Sequence, residues 1–196
     1  LEAIYEPRFL NCMYGFRPNR GCHDAIKELY KRLNNTKICY IVDADIKGFF
    51  DHMKHEWIIK FLNLYIKDPN IISLVKKYLK VGVLDEGVLM MNEEGSAQGN
   101  IISPILANIY MHNVLTLWYK FIITKECKGD NFLIVYADDF VAGFQYKWEA
   151  ENYYKLLKER MEKFGLQLEE SKSRLLQSGA YIARAKQKSG ESTRLE

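Results

Sequence analysis

The stretch Asn131-Phe132-Leu133-Ile134-Val135-Tyr136-Ala137-Asp138-Asp139-Phe140-Val141-Ala142-Gly143-Phe144 decides the reading of this chain. Its two apolar arms, Asn131–Tyr136 and Phe140–Phe144, have the composition of paired strands. The tetrapeptide Tyr136-Ala137-Asp138-Asp139 falls where a tight hairpin must turn. Adjacent carboxylates repel, resist burial and need a cation, and a divalent metal ion suits oxygen ligands best. The turn is the leading candidate for chemistry.

A second source of carboxylates lies upstream in Ile38–Ile46, where Tyr40, Val42, Ala44 and Ile46 alternate with Ile41, Asp43 and Asp45. That period of two predicts a strand with both aspartates on one face, and Lys47-Gly48 ends the pattern just beyond Asp45. Pairing this strand with the hairpin gathers Asp45, Asp138 and Asp139. Three carboxylates from two segments suit a two-metal phosphoryl-transfer site, in which ions about 4 Å apart clamp the attacking and leaving oxygens.

A third segment, Gly95-Ser96-Ala97-Gln98-Gly99-Asn100-Ile101-Ile102-Ser103-Pro104, precedes an apolar-striped stretch from Ile105 to Ile123. Ser103-Pro104 predicts a helix start, with serine as the cap and proline at a position where a lost N–H costs no bond. Gln98 and Gly99 then lie in the entering loop, where the backbone leaves room for a ligand.

Three ordered motifs resemble those of reverse transcriptases: Asp45-Ile46-Lys47-Gly48-Phe49-Phe50-Asp51, then Ser96-Ala97-Gln98-Gly99 with Ser103-Pro104, then Tyr136-Ala137-Asp138-Asp139. Three further segments, Tyr14-Gly15-Phe16-Arg17-Pro18-Asn19-Arg20, Phe50-Asp51-His52-Met53-Lys54-His55 and the run from Gln98 to Tyr110, resemble the reverse transcriptase-maturases encoded by bacterial group II introns. The resemblance implies an α+β fold, a polymerase palm-type antiparallel sheet with helices packed on one face. It also implies an RNA-directed DNA polymerase that adds dNTPs to a DNA or RNA primer on an RNA template, here intron RNA.

The same resemblance implies roles at matching positions. Asp45, Asp138 and Asp139, with the Ile46 carbonyl, hold two Mg²⁺ ions, for which Mn²⁺ can substitute. Phe50 excludes a ribose 2′-hydroxyl. Gln98 and Gly99 line the nucleotide and template pocket. Lys172 protonates or neutralises the departing pyrophosphate, while Arg17, Arg20 and Tyr136 contact nucleic acid. Asp51 and His55 are expected to cap or pack against a helix, and Asp43 to stand outside the catalytic set.

The chain of 196 residues is long enough for one sizeable core, and its net charge of +3 does not by itself mark a nucleic-acid binder. The basic run Lys172, Arg174, Arg184, Lys186 and Lys188 could follow a phosphate backbone. Cys12, Cys22, Cys39 and Cys127 lack metal-type spacing, which favours free thiols, a reducing compartment and hence the cytoplasm. Ile101–Ile123 carries Pro104, Asn108, His112, Asn113 and Lys120 and reads as a buried helix instead of a membrane span.

Helical spacing predicts helices at Asp24–Leu33 (stripe Ile26, Leu29, Tyr30, Leu33), His55–Tyr65, after Asp68-Pro69, and Trp148–Phe164 with Gly165 as its stop. A hairpin is expected at Val81–Met91, and short strands at Leu166–Leu168 and Arg174–Gln177. The expected organisation is a partial fingers segment at 1–36, a palm at 37–185 with an inserted fingers-side hairpin at about 81–99, and a disordered tail at 186–196. Starting at Leu1 without methionine, the chain is expected to be a piece without thumb or maturase domain, and a weak polymerase alone. The competing readings are a non-catalytic RNA-binding maturase scaffold, a nucleotide cyclase, and a reverse transcriptase of retron, diversity-generating or defence type.

Overall fold

The amino-terminal turn Glu2–Tyr5 (α1) runs into a 3₁₀ turn at Glu6–Arg8, and a long loop then leads to Cys22–Asn35 (α2). These elements belong to a computed structural model that describes residues 1–80 and 101–177 and the backbone of 84–85 and 88–89. The amide of Gly21 donates to the Asp24 carboxylate (2.9 Å) and closes the start of α2. Next come Tyr40–Ala44 (β1), Phe49–His52 (α3), His55–Leu62 (α4) and Pro69–Lys80 (α5). Leu84–Asp85 (β2) and Val88–Leu89 (β3) pair antiparallel, at the place of the expected hairpin.

Ser103–Met111 (α6) begins one residue earlier than a Ser103 cap requires, because Ile102 occupies the cap and Ser103 is already helical. Six consecutive residues of α6, Leu106 to Met111, are buried, as in a helix enclosed on all sides. The expected single helix to Ile123 continues, but it widens into π turns at His112–Thr116 and Tyr119–Ile123 before Thr124–Glu126 (α7). Side chains help loosen it: Asn113 Nδ2 donates to the Ile109 carbonyl (2.8 Å) and Thr116 Oγ1 to that of His112 (3.1 Å).

Asn131–Tyr136 (β4) and Asp139–Phe144 (β5) form the hairpin, Lys147–Lys163 (α8) follows, and Arg174–Gln177 (β6) closes the sheet. The sheet order is β4-β5-β1-β6, every neighbour antiparallel. Around Leu168 the expected strand is a single bridge, to Ile46. Gly165, at φ +79°, turns the chain after α8 as expected, with the Lys54 side chain lying against it.

Alternation gives the sheet two different faces. Val42, Ala44, Leu133, Val135, Phe140, Ala142 and Phe144 point into the main core, together with Leu106, Tyr110, Tyr153 and Leu157 of the helices. Ile41, Phe132, Ile134 and Val141 point the other way and pack with Ile38 against Ala25, Leu29 and Leu33 of α2. One helix therefore lies across the sheet from the main helical layer, at the β4 side. The expected α2 stripe is corrected accordingly: Ala25, Leu29 and Leu33 face the sheet, whereas Ile26 (57% exposed) and Tyr30 (72%) face out. Two stripes share Leu29 and Leu33, and small Ala25 lets the helix approach Phe132 and Ile134 more closely than Ile26 would.

Candidate active site

The carboxylates occupy the part of the α2-bearing face that, among the described residues, α2 does not cover. Asp43 sits opposite Val141 and Arg174 in the central strand, and its side chain is exposed. Asp45 lies one residue past β1, fixed by its backbone. Glu169 N donates to the Asp45 carbonyl (2.8 Å) and Lys47 N to that of Gln167 (2.9 Å). Ile46 and Leu168 are thus the non-hydrogen-bonded pair between those two bonds, which turns the Ile46 carbonyl away from Leu168.

On the neighbouring strand, Tyr136 pairs with Asp139, so Ala137 and Asp138 alone form the turn and Asp139 opens β5. Ala137 has φ +58°, a left-handed conformation that costs a non-glycine residue about 1 kcal/mol or more. Both turn carboxylates hold protons more tightly than an ordinary aspartate. For Asp138 burial is the main cause, opposed by a backbone hydrogen bond and reinforced by the charge of Asp45. For Asp139 burial is again first, followed by Asp138, Asp45 and Asp43. The exit of β1 and the hairpin turn therefore converge to within electrostatic range of each other.

Lys172 supplies the counter-charge. Its Nζ donates to Asp45 Oδ2 at 2.9 Å, and this bond raises the ammonium above its ordinary value. While so paired, Lys172 acts as a fixed positive charge and is a poor proton donor. The donor set fits a hard cation: three carboxylates, two of them destabilised by burial and mutual repulsion, near a backbone carbonyl turned out of its ladder. Among the described residues no group of three or more His, Cys, Asp or Glu side chains forms a ready metal cage. Any ion would have to draw these carboxylates inward or complete its shell with water and phosphate oxygens.

Phe50 and Phe49, neighbours in sequence, differ in burial. Phe49 is buried and meets Tyr110 edge-on, whereas Phe50 is only half-buried, between Phe49 (5.4 Å between ring centroids) and Phe16 (6.5 Å). Tyr136 is 37% exposed at the end of β4, beside the turn. Gln98, Gly99, Arg184, Lys186, Lys188 and the expected tail lie outside the described residues. Asp51 falls inside α3, and α4 takes Lys54 as its cap, so the capping role is not formed.

Arg17 corrects the sequence reading. It is buried, its Nη2 lies 2.7 Å from Glu6 Oε1, and its remaining donors reach the Glu6 carboxylate and the carbonyls of Leu10 and Met13. No donor is left for a phosphate. Arg20 is likewise occupied, with Asn11 Oδ1 (2.9 Å) and the carbonyls of Asn11 and Met13, though it stays partly exposed. An arginine in a turn looks like a phosphate ligand in sequence because nothing periodic ties it to its partner Glu6, eleven residues upstream.

Two supports escaped the sequence. Gly15 lies so close to the carboxylate turn that a Cβ there would stand 2.3 Å from Ala137 N, and buried Asn108 donates to the Gly15 carbonyl at 2.9 Å. Both lie in runs that carry the family resemblance, Tyr14–Arg20 and Gln98–Tyr110, but nothing in either run shows that the two residues touch.

A family model described as reverse transcriptase (RNA-dependent DNA polymerase) matches residues 1–189. The group II intron-encoded protein LtrA of Lactococcus lactis subsp. cremoris is 40% identical over 130 residues, which is 66% of this chain and 21% of the relative. An uncharacterized 91 kDa protein in the cob intron of Schizosaccharomyces pombe is 44% identical over 115 residues, 58% of this chain and 14% of the relative. The chain thus spans about a fifth or less of these relatives. An apo telomerase structure from Candida tropicalis has the same fold, with a TM-score of 0.67 at 16% identity, covering 90% of this chain and 35% of the telomerase.

Proposed function

Because the chain belongs to the reverse transcriptase (RNA-dependent DNA polymerase) family, we propose that it forms the palm and part of the fingers of an intron-encoded RNA-directed DNA polymerase. Its substrates are dNTPs, a DNA or RNA primer and an RNA template, intron RNA among them. Residues 1–36 belong to the fingers and 37–185 to the palm. The observation that carries the reading is the meeting of Asp45 with the Ala137-Asp138-Asp139 turn on the open face of the sheet, beside Lys172.

Asp45, Asp138, Asp139 and the Ile46 carbonyl are the proposed ligands of two Mg²⁺ ions, which Mn²⁺ can replace. When bound, such ions supply charge neutralisation at the transferring phosphoryl group. Lys172 leaves Asp45 for the departing pyrophosphate, where its positive charge is worth more than in the resting pair. Phe50 presents its half-exposed edge to the sugar and rejects a 2′-hydroxyl by collision. Tyr136, Gln98 and Gly99 border the nucleic acid and the incoming nucleotide.

Among the described residues no helix is long and apolar enough to cross a membrane. Free Cys12, Cys22, Cys39 and Cys127 support a cytoplasmic setting.

Primer extension on an RNA template by the protein at its full natural length tests the reading, paired with thermal melting in a Mg²⁺ or Mn²⁺ titration. Expected are dNTP incorporation and metal stabilisation, both lost in Asp138→Asn/Asp139→Asn. A wild-type protein that binds RNA but adds no nucleotide would instead be a maturase scaffold.

A further inference from the structure

Four segments distant in sequence meet behind the carboxylate turn. The loop before α2 runs beside β4 as an extra edge: Tyr14 N donates to the Val135 carbonyl (2.8 Å) and Val135 N to that of Cys12 (2.8 Å). That edge carries Gly15 onto the turn itself, where the atoms a Cβ would strike are all backbone: Ala137 N at 2.3 Å, Ala137 Cα at 3.0 Å and the Tyr136 carbonyl carbon at 3.0 Å. Backbone atoms cannot swing aside as a side chain can, so the position and shape of the turn depend on where Gly15 is held.

What holds it is Asn108. The side chain is 1% exposed in the middle of α6, and its Nδ2 donates to the carbonyls of both Gly15 (2.9 Å) and Phe16 (3.4 Å). The next residue, Phe16, has φ +54° and is half-exposed, yet its ring meets Phe50 edge-on at 6.5 Å. A buried amide spent on two backbone carbonyls fixes a loop more firmly than surface packing could, because a carbonyl that lost it would be left dry and unpaired.

We propose that Asn108 is a positioning residue that couples two parts of the site. By pinning the Gly15 and Phe16 carbonyls it presses Gly15 against Ala137, which sets the aim of Asp138 and Asp139. The same two bonds set Phe16 against Phe50, which sets the wall that reads the sugar. One amide thereby keeps the carboxylate turn and the sugar wall in register. This inference rests on the proposed polymerase reading of the same site, and its first readout is independent of activity.

The test uses the full-length protein with Asn108→Leu, which keeps the branched outline of the side chain and removes the donors, and Phe16→Ala at the half-exposed position. In metal-free Asn108→Leu protein, hydrogen exchange at the Tyr14 and Val135 amides should quicken more than about tenfold relative to wild type, with Val42 and Ala142 unchanged. In primer extension, the Mg²⁺ concentration for half-maximal rate should rise at least about threefold, and preference for deoxyribonucleotides should fall by a similar factor. Phe16→Ala should lower the sugar preference alone, leaving exchange and Mg²⁺ dependence at wild-type values. Uniformly faster exchange over the whole sheet, with the Mg²⁺ dependence of the folded fraction unchanged, would overturn the positioning role. If Asn108→Leu does not fold, an unaltered sugar preference in Phe16→Ala overturns the coupling, and a lowered one supports it. Absence of synthesis by the wild-type protein would refute the polymerase reading, while the exchange result would still decide whether Asn108 holds the turn.

Discussion

The two faces of one sheet differ in what completes them. On the face formed by Val42, Ala44, Phe140 and Ala142, the chain supplies its own cover from α4, α6 and α8. On the other, α2 covers only the β4 side over Phe132 and Ile134, while the charges of Asp43, Asp45, Asp138 and Asp139 gather at the turn end, where Lys172 pairs with Asp45. The first face is built for stability. The second holds charges that repel, which stability alone would not select.

That contrast can be broken with substitutions on each side. Asp45→Asn should reduce primer extension by about a thousandfold or more, as expected when a preorganised charge in an active site is removed. It should leave the melting temperature nearly unchanged, since the ion pair it breaks is on an exposed lysine. Leu106→Ala, fully buried in α6, should do the reverse: about 2–5 kcal/mol of stability lost in a denaturant melt, with the activity of the folded fraction retained. Equal effects of the two on stability would erase the distinction.

A titration sharpens the covered side. His112 is 3% exposed, its ring edge-on to Phe9 and Nδ1 3.1 Å from Thr116 Oγ1, and burial, with Arg17 and Lys120 nearby, lowers it to about 4. Its ordinary value is 6.5. Between those values the unfolded chain binds the proton and the folded one does not, so stability falls as pH drops from about 6.5 towards 4. The full difference is on the order of 3 kcal/mol. His112→Gln should flatten that part of a stability-pH curve; an unchanged slope would mean the acid sensitivity arises elsewhere.

How much of this was legible in sequence follows the same division. Alternation in Tyr40–Ala44 and in the two arms around Ala137-Asp138 revealed the central strands, because burial of a face writes a period of two into the residues. The gathering of Asp45 with Asp138 and Asp139 was legible too, since the strand and the hairpin pair along their length. Arg17 was misread because its partner Glu6, eleven residues upstream, belongs to no pattern, and α2 was turned by about one residue because its partners Phe132 and Ile134 are remote in sequence. Gly15 and Asn108 were invisible for the same reason. Their contacts lie about 90 residues or more apart, and neither residue belongs to a periodic pattern.

On the open side, Phe50→Val should raise ribonucleotide relative to deoxyribonucleotide incorporation more than about tenfold, equivalent to ~1.4 kcal/mol. Single-nucleotide extension on an RNA template measures it. Equal losses for both sugars would make Phe50 a support for Phe49 and Phe16 with no part in discrimination.

The least conspicuous effect is again in the turn, and its sign is opposite to that of His112. Asp138 and Asp139 are raised above the ordinary aspartate value, so just above that value the folded protein holds protons that the unfolded chain has released. In the window between the ordinary and the raised values, stability therefore falls as pH rises. Above it both groups are charged in the folded state and the penalty is complete, unless a cation neutralises it. Metal-free Asp138→Asn/Asp139→Asn should lose this decline and be slightly more stable than wild type at neutral pH, by a difference that Mg²⁺ reduces. A double variant less stable than wild type at neutral pH without metal would show that the carboxylates are held by favourable contacts, and that the open face is not waiting for charge from outside.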